Sequence, residues 1–183
     1  MVQSQWGQRV SNPDAVATAS AMREEWRAEQ EAETAEAADD WRHRRTLRDI
    51  ALETVHRGDP IVVLQQHVRI HGDVEAVGTD LLSVRSVSGR VDVHLHDGVP
   101  LMLQIGERMK EGGARETVSD GDFRSALLAR ERFGEVTLGC TFQQEPFDGR
   151  IVVGADHVCL IGRGGGETYF PLWSVAYVMP RRD

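Results

Sequence analysis

Lysine is all but missing from this 183-residue chain: of 21 basic residues only Lys110 is a lysine, the rest being arginine. Arginine binds phosphate well, so this bias alone does not exclude nucleic acid. The shortage of positive charge as a whole weighs more. A formal charge of −8 opposes adventitious attraction to phosphate backbones. The longest basic run lies within WRHRRTLR (41–48), so an electropositive groove would have to be assembled in three dimensions. Cysteine is scarce too. Cys140 and Cys159 make no disulfide framework, and a reducing cytoplasm is the expected compartment. No apolar run approaches the roughly 20 residues that cross a bilayer. The start, MVQSQWGQRVSNPD, lacks the basic-then-apolar order of a signal peptide, and no membrane partner is expected. Aromatic residues are few and uneven. Between Trp41 and Phe123 there are none, whereas Phe142, Phe147, Tyr169, Phe170, Trp173 and Tyr177 crowd the second half.

What is present is self-similarity. Leu47–Gly58 (LRDIALETVHRG) is a helical pattern closed by glycine and followed by a strand-rich run, IVVLQQHVRIHGDVEAVGTDLLSVRSVSGRVDVHL. Phe123–Gly134 (FRSALLARERFG) repeats that pattern ahead of a second strand-rich run. Gly72, Gly78 and Asp80 match Gly149, Gly154 and Asp156, with one residue fewer between the second pair of glycines. Repetition at a fixed spacing outweighs any single-residue clue to architecture. Each copy predicts about five short strands. Turns are expected at Ser88-Gly89, Asp97-Gly98 and Gly162–Gly166.

The expected organisation is a disordered tail over 1–13 and a helix over 14–44. A first barrel with its helix follows at 45–106, a glycine-rich linker at 107–119, and a second barrel with its helix at 120–183. The long helix is rich in alanine and glutamate, and six carboxylates between Glu29 and Asp40 precede the basic stretch. Its alanine stripe is too thin to sustain a long coiled coil alone. Trp26 and Trp41 are therefore candidate anchors for a protein partner or a second copy.

The order of a helix, five short strands and a last strand ending in proline resembles the Sm-like family of small β-barrels. That family includes the bacterial host-factor-type RNA chaperones. Tyr169 to Asp183 (YFPLWSVAYVMPRRD) is similar to its last two strands, and Gly149 to Asp156 to its first motif. The likeness covers about 45–105 and 120–182, with an SH3-like barrel as the alternative label. It implies a strand-rich chain of two tandem small barrels, each preceded by a short helix. It also implies RNA as a partner, read by an amide at the end of the third strand with a basic residue beside it. The matching positions hold Ser83-Val84 and Cys159-Leu160, and the one asparagine, Asn12, lies far upstream. Arg90 and Arg163, beside glycine turns, are left as candidates for a nucleic-acid backbone, able to hold phosphate without specifying a base.

Other chemistry finds little support. His94 and His96 share a strand face with Asp92, a two-histidine clip with a third ligand at hand, and His67 and His71 belong to a neighbouring predicted strand. The expected reading is an exposed polar face. Gly162 to Gly166 is followed by a strand pattern, whereas a phosphate loop needs a helix there. Asp80 and Asp156 are expected to bond their own turns. No nucleophile–base arrangement stands out, and no catalysis, cofactor or small-molecule substrate is expected. Tyr169 and Phe170, as strand neighbours, must face opposite ways, and one of such a pair has to leave its own core. Tyr169, Phe170 and Trp173 are thus candidate partner-binding residues. A non-catalytic assembly or adaptor protein is the leading expectation, ahead of a nucleic-acid-binding regulator.

Overall fold

The computed structural model describes residues 13–65, 68–106 and 121–181. They fall into two compact units, divided between Arg45 and Thr46. The first unit contains α1 (Pro13–Arg44). Proline suits a first helical position, where its missing N–H would have no partner anyway. Pairs one turn apart line the helix surface: Arg44 reaches Asp40 at 2.8 Å, and the Arg45 guanidinium lies 4.2 Å from the centre of the Trp41 ring. Each such i,i+4 ion pair stabilises a helix by only about 0.2–0.5 kcal/mol, so the alanine and glutamate propensities carry α1. Met22, Trp26 and Trp41 are all exposed.

The second unit opens with α2 (Leu47–Arg57). Its strands are β1 (Pro60–Gln65), β2 (Val68–Val77), β3 (Leu81–Ser86), β4 (Gly89–His94) and β5 (Met102–Ile105). After α3 (Phe123–Glu131) come β6 (Glu135–Cys140), β7 (Phe147–Val153), β8 (His157–Ile161) and β9 (Glu167–Pro171). A 3-10 turn, Leu172–Ser174, leads into β10 (Val175–Pro180). The described residues are thus mixed, with more strand than helix. The ten strands of the described residues lie in a single antiparallel sheet of order β5-β1-β2-β3-β4-β10-β6-β7-β8-β9. The ladder runs unbroken from the first half into the second, because β10 pairs with β4 on one side and β6 on the other.

The punctuation follows local chemistry. Thr46 and Asp49 form a reciprocal capping box at the start of α2, and Gly58 ends it in the left-handed region at φ 70°. Asp122 caps α3 through the Ser125 N–H at 2.7 Å, and those bonds to Ser125 hold its carboxyl below the usual range. Expected to run to Gly134, α3 instead stops at Glu131 with Arg132 as its cap. Gly72 and Gly149 sit where a side chain would collide: a Cβ would lie 2.1 Å from the Arg85 carbonyl oxygen and 2.5 Å from that of Ile161. The extra residue of the first half is absorbed between Val74 and Ala76, where the β2–β3 register shifts.

Two cores result. Ile61, Val63, Leu82, Val84, Val91 and Val93 centre the first, under α2 residues Ala51 and Val55. Phe123 and Leu127 of α3 join Leu138, Ile151, Val158 and Phe170 in the second. β10 is a wall common to both: Ala176 and Tyr177 belong to the first core, Val175 and Val178 to the second. Tyr177 is therefore an aromatic residue of the second half that leaves its own core for the other one.

Candidate interaction surfaces

β3 and β4 place one apolar face in the first core. Their opposite face carries Leu81, Ser83, Asp92 and His94, expected to be a solvated polar surface. It is buried. Asp92 is 2% exposed, His94 3% and Ser83 not at all. The reason is α3, which the sequence supplies from 30 residues further on. Arg130 Nε donates to Asp92 Oδ2 at 2.9 Å, and Arg90 Nε donates to Oδ1 at 2.8 Å. The Ser83 hydroxyl donates to the same Oδ1 at 2.7 Å and accepts from Arg90 Nη2 at 2.9 Å. A buried carboxylate is tolerable only when paired and hydrogen-bonded in this way.

His94 is held as firmly. Its ring stacks on Phe123 at 4.4 Å between centroids, Nδ1 lies 2.9 Å from the Val175 carbonyl, and Nε2 lies 3.4 Å from Asp80 Oδ2. Burial lowers the imidazole pKa, outweighing the Val175 carbonyl and Asp80, which raise it. The other oxygen of Asp80 accepts the Phe123 N–H at 2.7 Å. Asp80 thus bonds the first turn of α3 rather than its own turn, while Asp156 is 2.8 Å from the His157 ring. That neighbour keeps the exposed Asp156 carboxyl below its ordinary range.

The two-histidine clip does not assemble as a ligand set. His94 and His96 have rings 5.3 Å apart, but His94 and Asp92 are committed to α3 and β10. His71 is exposed on β2, and His67 lies outside the described residues. No group of three or more His, Cys, Asp or Glu suited to a metal occurs among the described residues. His96 Nδ1 accepts the Gly98 N–H at 3.0 Å. This histidine lines an open cleft of about 640 Å³ together with Arg48, Thr79, Leu95 and Val99. Arg48 Nε is spent there on the Gly78 carbonyl at 2.7 Å.

The arginine candidates are both next to carboxylates. Arg90 serves Asp92, and Arg163 stands 3.5 Å from Glu135. Both cysteines are buried free thiols. The glycines from 162 to 166 form the β8–β9 hairpin, closed by the Gly162 N–H on the Gly166 carbonyl at 2.9 Å.

The aromatic candidates separate cleanly. Phe170 is 5% exposed and packs in the second core against Phe147, so it is no surface contact. Tyr169 points the other way and is 60% exposed. Its hydroxyl donates to Glu167 at 2.7 Å, and Glu167, with Cys159 adding, pushes its pKa up to about 12. Trp173 is exposed and meets an exposed Phe142 edge to face at 5.3 Å. The two come together because the Thr141 N–H bonds the Ser174 carbonyl at 2.9 Å, tying the end of β6 to the turn before β10. No protein-family model matches this chain, and no curated protein matches it in sequence.

Phe142 stands among the second-half aromatics marked in the sequence, but its pairing with Trp173 was not legible there, because it sits in a polar loop with no periodicity. Nor was Arg130 legible as the partner of Asp92. The visible signal was an arginine on the apolar face of a short helix, a position that calls for a buried acid.

Proposed function

We propose that this chain is a non-catalytic assembly or adaptor protein built on a duplicated Sm-like barrel unit, with α1 as a partner-docking segment. The observation that carries the reading is the aromatic surface of the second half. Phe142 and Trp173 form a ring pair outside the core, with Tyr169 exposed on β9. A large aromatic left in water is most economically explained by a protein surface that covers it.

The duplication is supported by strand order and by individual bonds. Each half runs last, first, second, third, fourth: β5-β1-β2-β3-β4 and β10-β6-β7-β8-β9. Arg48 Nε bonds the Gly78 carbonyl, and Arg124 Nε bonds that of Gly154. The Leu95 N–H bonds the Asp80 carbonyl, and the Leu172 N–H that of Asp156, at 2.7 and 2.8 Å. The nucleic-acid alternative is the less supported, since Arg90 and Arg163 already face carboxylates and the chain carries net negative charge.

The test is the solution mass of untagged full-length protein together with whatever purifies with it. A mass above one chain, reduced by Phe142→Ser and Trp173→Ser in combination, is expected. A single-chain mass at every concentration, with nothing bound, overturns the proposal. Bound RNA released by salt replaces it with the nucleic-acid reading.

A further inference from the structure

We infer that two copies of this chain associate face to face across a two-fold axis, through the outer surface of β7, β8 and β9. This rests on the assembly reading above and names the partner: a second copy. The surface is set by strand register. Arg150 of β7 opposes Ile161 of β8, which in turn opposes Glu167 of β9. The next row on the same side is Val152, Cys159 and Tyr169, and His157 and Pro171 follow it. Directly opposed residues share a face. The alternate residues Ile151, Val158, Leu160 and Phe170 fill the second core, so these rows point away from it. Arg150, Val152, Glu167, Tyr169 and Pro171 are exposed, and Cys159, nearly covered beside Tyr169, belongs to neither core. The Phe142–Trp173 pair borders the patch at the end of β9.

The first half shows what this side of the strands carries when it is covered inside the chain. There Ser83 opposes Asp92, as Cys159 opposes Tyr169, and Arg130 of α3 reaches the pair. In the second half the hydroxyl and the carboxylate give way to a thiol and a tyrosine, with Val152 beside them, and the side is left bare. An apolar row in water calls for a cover. Its charges specify which one. Strands lie roughly 4.8 Å apart, so Arg150 and Glu167 stand about 10 Å from each other along their row. Glu135, the acid opposite Arg150 on its other side, is engaged by Arg163 and Arg181. Among the described residues Arg150 thus makes no ion pair.

Turning a second copy by 180° about an axis parallel to β8 lays β7 over β9 and keeps every row in place. Arg150 then meets the partner's Glu167, and Glu167 meets the partner's Arg150, one ion pair on either side of the axis. Val152 meets the partner's Tyr169, and the β8 residues Ile161, Cys159 and His157 meet their own counterparts. An axis across the strands would instead set Arg150 over the partner's Gly154 and Glu167 over the partner's Pro171, leaving both charges unmatched. Sheets packed in this manner stand roughly 10 Å apart, with strand directions within about 30° of each other. Three strands of about five residues cover roughly 14 by 17 Å. That is small beside the roughly 800 Å² per partner of a standard interface, so the dimer is weak and concentration-dependent.

Charge exchange tests the pairing. Full-length Arg150→Glu and Glu167→Arg, both at exposed positions, are each expected to raise the dimer dissociation constant in sedimentation equilibrium by about tenfold or more. Each sets like charges opposite one another on both sides of the axis. An equimolar mixture of the two variants is expected to regain wild-type affinity, as is one chain carrying both changes, because every contact again joins opposite charges. A wild-type mass above one chain with both single variants unaffected overturns the face-to-face dimer and leaves the assembly reading intact. Weakened single variants that neither the mixture nor the double change rescues overturn it too. So does a wild-type mass beyond two chains, since a two-fold face of this kind closes at two. A single-chain wild-type mass at every concentration overturns both readings. Should Glu167→Arg unfold the chain, Val152→Lys in the middle row is expected to weaken association by about tenfold, and an unchanged affinity then refutes the inference.

Discussion

Removing the Asp92 carboxylate should loosen the hold between the two halves of the sheet unit. Asp92 is 2% exposed and accepts bonds from Ser83, Arg90 and Arg130. Of the two arginines, Arg130 matters more. Its side chain is 14% exposed and comes from α3, whereas that of Arg90 is 45% exposed and remains partly hydrated. Breaking one member of a buried pair typically costs about 3–5 kcal/mol, because the remaining charge stays desolvated. With Arg90 partly in water, the lower end applies, and Asp92→Ala is expected to cost about 3 kcal/mol. Arg130→Ala leaves Asp92 its bonds to Ser83 and Arg90 and should cost about 2 kcal/mol, within the range for hydrogen bonds to charged groups. The double variant should cost less than the sum by about 1–2 kcal/mol, since the two side chains share one interaction. Urea unfolding followed by circular dichroism and tryptophan fluorescence supplies the numbers, the midpoint falling while the slope holds. Against a total stability of about 5–15 kcal/mol these are large effects. The loss should persist in high salt, because the pair is shielded from screening ions. A cost below 1 kcal/mol for Asp92→Ala, or strict additivity, would refute the view that this cluster joins α3 to β4. So would two separate unfolding transitions in the wild type.

Three further expectations concern single sites. Gly139→Ala places a Cβ 2.1 Å from the Tyr177 ring and should cost about 1–3 kcal/mol in the same urea assay, because the ring must leave its packed position; an unchanged midpoint refutes the packing described. Burial lowers the His94 pKa, so the unfolded chain, titrating near 6.5, binds the proton more readily than the folded one. The stability His94 contributes is therefore complete above that value and declines as the pH falls through the folded pKa, and His94→Gln should flatten this slope. An equal slope in both proteins assigns the pH dependence elsewhere. Gln65 is buried and, among the described residues, neither of its amide atoms has a partner, so Gln65→Leu should raise stability by about 1 kcal/mol or more; a loss of stability would show that the amide is satisfied.

Much of the local structure was legible from residues alone. Alanine and glutamate runs specify α1, the threonine–aspartate box and Gly58 bound α2, and alternation with glycine turns marks the strands. Those signals act over a few residues, and their physics is local. The even spacing of Gly72, Gly78, Gly149 and Gly154 likewise reveals bends and turns, because a side chain there would strike a neighbouring backbone or ring. What lay beyond reach was the second face of each strand. Asp92 and His94 read as solvent-facing because polar residues alternate with valines, and alternation cannot tell water from a helix supplied 30 residues later. Phe170 and Tyr169 are the same case reversed. The pattern required one to face out, and only the packing of β9 on β8 against Phe147 chose which. So the sequence by itself determined most element boundaries, the end of α3 excepted, since capping and turn conformations depend on near neighbours. Tertiary structure decided that β10 stands between two cores, and with it which charges are buried and which aromatics reach the surface. Those outcomes depend on strands meeting far along the chain, where no local propensity operates.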